Sequence, residues 1–429
     1  MQRTGVFSHI CLFDPNPTLI FPSTPSFPTH SRDSCALACL CSVANAALRE
    51  SRWWNAVRFK SNGAVLEPSS GAFNVTVALG ESVQAAVDAC PRGGSVLLLP
   101  GIHAGPLVLT AGQEVHVFGR GLATLQSSAG TVVTCSAAKA TLDGLSIRQN
   151  LIDLDEDGDD MPADAFGLLV LGGALRLQAC DVCSMPDTCI FIDGGNPTII
   201  SSKIHDAGRF GIVFSEGVHG RVVDSEVWGA HQACVDIMAG SDSSLVACKI
   251  HGGMQEGITF WGASTCRVEK CDLWGHHASG ILAEAGATPV IVSCKIHDVL
   301  SSGVSFRGAL TRGRLEDCDI WLNTYHNVSI LNHADPQIVS CNIHLGRSAG
   351  VLVSEHGRGT LDGCEIAGNG NSGVRVLQGG NPTIFGCNIH DHALNIAAGV
   401  YVSADAVGNA AVGAGNVFAR NVAGDVVRM

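Results

Sequence analysis

Eight side chains that can exchange a proton or stack on a ring recur in one register: His205, Trp228, His251, Trp274, His297, Trp321, His344 and His390. Successive members stand 23 residues apart, with one step of 24 and a last step of 46. Imidazole titrates near neutrality and indole buries a large area at little entropic cost, so the row from His205 to His344 is a candidate partner-binding face. The same tryptophans can stack on sugar rings. As general bases the histidines need a partnered nucleophile or metal, and the sequence sets none beside them. Three of them precede an aspartate, in His205-Asp206, His297-Asp298 and His390-Asp391, a pairing that also makes local turn hydrogen bonds. Two positions before the row, Lys203, Glu226, Lys249, Asp272, Lys295 and Asp319 alternate in sign, which reads as an ordinary solvated face. No catalytic constellation is expected from these residues, and the chain reads as non-enzymatic.

A second candidate is the acidic stretch Asp153-Leu154-Asp155-Glu156-Asp157-Gly158. Asp153, Asp155 and Asp157 have the spacing of a calcium loop, with Asp164 at its twelfth position. Pro162 interrupts the loop and flanking helices are missing, so a solvated insertion is the reading and no metal or other cofactor is expected. Cysteine is the third candidate, with 18 in the chain. Cys180, Cys248, Cys271, Cys294, Cys318, Cys341, Cys364 and Cys387 share one position of the repeat. Stacked in register, their Cβ vectors run parallel at about 4.8 Å, longer than the roughly 3.8 Å a disulfide wants. They read as reduced core thiols. Cys180 and Cys183 have metal-like spacing, but a structural zinc site needs a second pair, so packing is the reading there too.

The elements that hold these residues follow from the same period. Three residues before each cysteine or serine of the repeat stands an apolar residue, Ile199, Val222, Leu245, Val268, Ile291, Leu315, Ile338, Leu361 and Ile384. A further apolar position follows ten residues after it, usually behind glycine, as in Gly257-Ile258 and Gly280-Ile281. Each period therefore holds three short alternating runs separated by turn residues. That pattern predicts a right-handed parallel β-helix with one repeat per coil, roughly a dozen coils and a rod about 55 Å long. The leucine ladder and asparagine of leucine-rich repeats are absent. Ser82 to Cys90 reads as an amphipathic helix capping the open end of the column, ahead of strands at Ser95–Gly101 and Glu114–Gly119.

Composition bounds the rest. Only 15% of residues are charged and 51 are glycine, as many turns and a long buried column require. A formal charge of −13 argues against a nucleic-acid partner. No apolar run of about 18 residues exists, so no membrane span or membrane partner is expected. Residues 1–33 read as a disordered Pro/Ser/Thr-rich leader, with a plastid transit peptide as the alternative to a plain tail. Reduced thiols and the lack of a signal-peptide pattern point to the cytoplasm or nucleus. Residues 34–60 read as helical, 61–76 as a linker and 77–429 as the β-helix, interrupted by an insertion at 152–165.

Two resemblances add to this. Ser82-Val83-Gln84-Ala85-Ala86-Val87 followed by Gly94-Ser95-Val96-Leu97-Leu98-Leu99-Pro100-Gly101 resembles the start of pectin-lyase-like β-helix proteins. The coils carrying Asn196-Pro197-Thr198-Ile199 and Gly220-Arg221-Val222 look like those of the F-box β-helix proteins, and the helical patch before them looks like the second half of an F-box. That resemblance implies an adaptor contact through Leu37, Leu40, Cys41, Trp53 and Trp54, although Ala44 stands where the family has tryptophan. It further implies a substrate receptor of a cullin-RING ubiquitin ligase that holds its protein substrate on the β-helix. A carbohydrate-binding or polysaccharide-active β-helix and a plain scaffold are the alternatives.

Overall fold

The computed structural model describes residues 75–150, 165–392, 397–406 and 410–429. The F-box-like residues Leu37, Leu40, Cys41, Trp53 and Trp54 and the calcium candidates Asp153, Asp155 and Asp157 lie outside these residues. Within them the 23-residue spacing becomes strand register. Lys249 pairs with Asp272, Ile250 with Leu273 and His251 with Trp274, all in parallel, and the next coil continues with Lys295, Ile296 and His297. Each coil has three faces, represented by Thr198–Ile200, Lys203–His205 and Ile212–Phe214. The third face holds 14 strands, so the solenoid has about fourteen turns where the sequence led us to expect a dozen. The two ends account for the difference, because the first and last coils depart from the repeat pattern. No helix among the described residues is long and apolar enough to cross a membrane.

The bend between the first and second faces is made by one residue in left-handed conformation, such as Ser201 (φ 46°), Ala247 (φ 54°), Lys270 (φ 55°) and Ser293 (φ 52°). Side chains other than glycine pay roughly 1 kcal/mol for this, a cost that recurs in nearly every coil and is offset by the core it permits. The inward residues Ile204, Val227, Ile250, Leu273 and Ile296 are fully buried. So are the apolar residues three positions before each cysteine, from Ile199 to Ile384.

Every cysteine among the described residues is free, and the repeat cysteines are buried. Their thiols satisfy themselves on backbone carbonyls. Cys294 Sγ donates to Val292 O at 3.3 Å and contacts Val268 O at 3.6 Å, and Cys248, Cys271, Cys318, Cys341 and Cys364 make the same two contacts. Burial pushes the Cys180 thiol up to about 12, so it stays protonated at neutral pH. Glycine ahead of the third face answers a packing demand: a Cβ on Gly280 would stand 2.7 Å from Gly303 O and 2.8 Å from Ile296 Cγ2. Over the first coils lies α1 (Val83–Ala89), with Ser82 capping it through Oγ to Ala85 N and Val83 and Val87 buried. The expected cap is present.

Candidate functional site

The sequence-predicted row of histidines and tryptophans is a single stack on the second face. Ring centroids alternate between close and wider steps: 4.5 Å for His205–Trp228, 5.8 Å for Trp228–His251, 4.3 Å for His251–Trp274 and 6.1 Å for Trp274–His297. The same alternation continues with 4.2 Å for His297–Trp321 and 5.9 Å for Trp321–His344, all at interplanar angles of 14° or less. The cause is register. Planar groups directly above one another at strand spacing have nowhere to go but into a stack.

The charges beside the row are more than a solvated face. Each histidine reaches back one coil to a carboxylate: His205 to Asp181 at 2.8 Å, His251 to Glu226 at 3.1 Å, His297 to Asp272 at 3.1 Å and His344 to Asp319 at 2.9 Å. His390 does so to Glu365. The three adjacent aspartates also bond as expected, with His297 Nδ1 2.7 Å from Asp298 Oδ2. Hydrogen bonds from Asp181 and Asp206 raise the His205 pKa against the opposing effect of burial, and Glu365 and Asp391 do the same for His390. The ring faces from His205 to His344 are thus spent on one another and the histidine Nε2 atoms on carboxylates.

The third face differs. There the middle residue of each strand points outward, yet Val213, Asp236, Thr259, Leu282, Ser305 and Ser329 are all buried. The first three, Val213, Asp236 and Thr259, lie on the floor of a groove. Two hollows open from it. One, of about 460 Å³, is lined by Phe166, Asp187, Phe191, Asp193, Arg209 and Phe210 among others. The second, of about 340 Å³, shares Phe210 and continues past Gln232, Asp236, Gln255, Glu256, Thr259 and Trp261.

The polar groups of the floor are organised around Asp236. Its Oδ1 accepts from Trp261 Nε1 at 2.8 Å and from the Thr259 hydroxyl one coil on. Desolvation raises the Asp236 pKa despite these bonds. Glu256, on the adjacent coil, is likewise raised, chiefly by burial, with Asp236 and Glu284 adding to the shift and Arg307 opposing it. Aromatic rings border both hollows: Phe166 stacks on Phe191 at 5.0 Å, and the Arg209 guanidinium lies 5.8 Å from the Phe210 ring centroid. Trp261 is exposed. Two carboxyls biased toward the neutral acid, inside a groove with aromatic walls, can donate protons to a bound ligand and form bidentate hydrogen bonds to hydroxyls. Sequence reasoning missed Asp236 because its column, Val213, Asp236, Thr259, Leu282, has no repeating residue type, and Glu256 because Ala233 and Ser279 stand at its place on the neighbouring coils. The one signal was a polar pair, Asp236 and Thr259, where neighbouring coils carry Val213 and Leu282.

A family model described as right handed beta helix region matches residues 188–324 and 291–428. The chain belongs to this right-handed β-helix family. No curated protein matched the sequence. Among solved structures it is similar to the A-module of the Azotobacter vinelandii mannuronan C-5 epimerase AlgE4, at 15% identity and a TM-score of 0.46, covering 81% of this chain and 94% of that one. Pectate lyase Pel9A matches at 12% identity and a TM-score of 0.43, covering 81% and 80%. The catalytic unit of the GH87 alpha-1,3-glucanase from Streptomyces thermodiastaticus strain HF3-3 matches at 14% and 0.45, covering 80% and 64%. At these identities the likeness is one of fold. The pectin-lyase-like architecture stands, and nothing among these findings supports an F-box or a ubiquitin ligase. The expectation of a non-enzymatic chain is corrected at this point. The finding against it is that the solved structures of like fold are named as an epimerase, a lyase and a glucanase.

Proposed function

We propose that this right-handed β-helix binds and acts on a linear polysaccharide along its third face, with Asp236 and Glu256 as the proton-transferring pair. The observation that carries the reading is that Asp236, buried, and Glu256, half-buried in the turn one coil on, line one hollow beside Phe210 and Trp261, with burial raising the pKa of both. An extended groove suits a linear polymer. Sugars offer alternating apolar C–H faces and hydroxyl edges, which Phe210 and Trp261 on one hand and Gln232, Gln255 and the carboxyls on the other can satisfy. Charge narrows the ligand. Even without Asp236 and Glu256, Asp187, Asp193 and Glu284 outnumber Arg209 and Arg307 around these hollows, so an uncharged glycan fits better than a polyuronate.

In chemical terms, a carboxyl whose pKa desolvation raises donates its proton to the glycosidic oxygen as the bond breaks, and the second, in its ionised form, stabilises positive charge at the anomeric carbon or activates water. Thr259 and Trp261 orient Asp236 for either part. The test is to incubate the full chain with a panel of neutral and acidic polysaccharides, follow binding by affinity electrophoresis and cleavage by reducing-end release, and repeat with Asp236→Asn and Glu256→Gln. Turnover of a neutral glycan that either substitution abolishes is the expected result. Silence across the panel, or turnover indifferent to both substitutions, refutes the reading.

A further inference from the structure

The lower end of the aromatic stack differs from the rest of it. Beneath His297 in register stands Trp274, and beneath His390 stands Ala367, but beneath His205 stands Cys183. The thiol of Cys183, a nitrogen of His205 and a carboxylate oxygen of Asp206 all lie within 4.8 Å of one another. We infer that Cys183, His205 and Asp206 form a binding site for a divalent metal ion of the zinc class.

The donor set is that of a borderline-soft cation: one thiolate, one imidazole, one carboxylate and an open fourth position for water. Ligands at about 2.0–2.3 Å from a tetrahedral ion stand about 3.3–3.8 Å apart, so closure needs a shift of about 1 Å. Asp206 is exposed and Cys183 is buried, which gives the ion a route in and an apolar side to rest against. The outer support is also in place. His205 Nε2 lies 2.8 Å from Asp181 Oδ1, and Arg148 holds that same carboxylate at 2.6 Å. A histidine that donates one ring nitrogen to a fixed carboxylate presents the other to a metal. Here the other is Nδ1, 2.8 Å from Asp206 Oδ2. The ion takes the place of the proton between Nδ1 and Asp206 and displaces the thiol proton of Cys183, whose pKa burial raises and the nearby Arg148 charge only partly offsets.

The site also has a position in the molecule. Cys183 leads into the turn that carries Asp187, and Asp206 into the turn that carries Arg209, and these two residues meet at 3.8 Å in the larger hollow. An ion at Cys183, His205 and Asp206 ties those two turns together. The inference does not depend on what the groove binds.

Cobalt(II) serves as the probe. The full chain, reduced and stripped with a chelator, is titrated while the sulfur-to-cobalt charge-transfer band and the d–d bands are recorded, and zinc is then added to displace it. One equivalent with a charge-transfer band is expected, lost in Cys183→Ala and His205→Ala. Asp181→Asn weakens binding by about 10–100-fold, while His297→Ala and His390→Ala leave it unchanged. A titration without charge transfer, or a band that survives Cys183→Ala, overturns the site. Should Cys183→Ala fail to fold, Asp206→Asn on an exposed side chain carries the test: at least about tenfold weaker binding supports the site, and unchanged binding overturns it.

Discussion

The second and third faces of the solenoid are built on the same register and put it to opposite uses. On the second face the outward residues repeat, so each ring meets a ring and each histidine meets a carboxylate one coil below. On the third face the outward residues change from coil to coil, and Asp236 finds Thr259 and Trp261 where Val213 and Leu282 stand on neighbouring coils. Repetition along a parallel stack satisfies a surface internally. Its interruption leaves groups whose bonding capacity faces a groove. In this protein the conspicuous residues bond to one another, and the proposed ligand site falls on the inconspicuous ones.

That contrast can be broken by experiment. The largest effect is expected at Asp236→Asn, which should lower glycan turnover by about 10²–10⁴-fold while the melting temperature stays near that of the parent chain. Trp274→Ala should do the reverse, costing about 1–3 kcal/mol through two lost ring contacts with turnover intact. If turnover falls with Trp274 instead, the two faces are not separate in function. Gly280→Ala, measured by urea unfolding, should cost about 1–3 kcal/mol because its Cβ meets the next coil's carbonyl. Gly275→Ala, in a left-handed turn where the added Cβ would meet only Gly252 N at 3.7 Å, should cost only about 1 kcal/mol.

Smaller effects sharpen the picture. Trp261→Phe removes a donor that holds Asp236 down, so the pH–rate limb belonging to Asp236 should move to higher pH; a limb that stays in place would separate Asp236 from the chemistry. The smallest effect concerns His205, whose folded pKa is raised by Asp181. Its contribution is fully present below the unfolded value of about 6.5 and is lost as pH rises through the higher folded value. Thermal melts between pH 6 and 9 should therefore slope downward in the parent chain and less so in His205→Gln.

Much of this could be read before any coordinates. The inward residues at Ile199, Val222, Leu245 and their successors alternate with a strict period, and a period is visible in one dimension. The cap at Ser82, the buried cysteines and the His-Asp turn pairs followed from local rules. The carboxylates at Asp181, Glu226 and Asp272 were visible as charges, but their histidine partners 24 or 25 residues on were not, because pairing across coils depends on where each side chain leans. The groove escaped altogether. Nothing in the string Cys234-Val235-Asp236-Ile237 says that an outward aspartate is 3% exposed.

The amino-acid sequence alone determined the winding, since in-register stacking requires only that each coil resemble the next, and that resemblance is a property of spacing. The tertiary structure decided which outward residues are shielded from water. Shielding depends on the height of turns contributed by other coils, and through desolvation it sets the protonation preference of Asp236 and Glu256. Charge and burial of a group are properties of its surroundings, and for these two carboxyls the surroundings come from residues 20 to 50 positions away along the chain, such as Phe210 and Arg307.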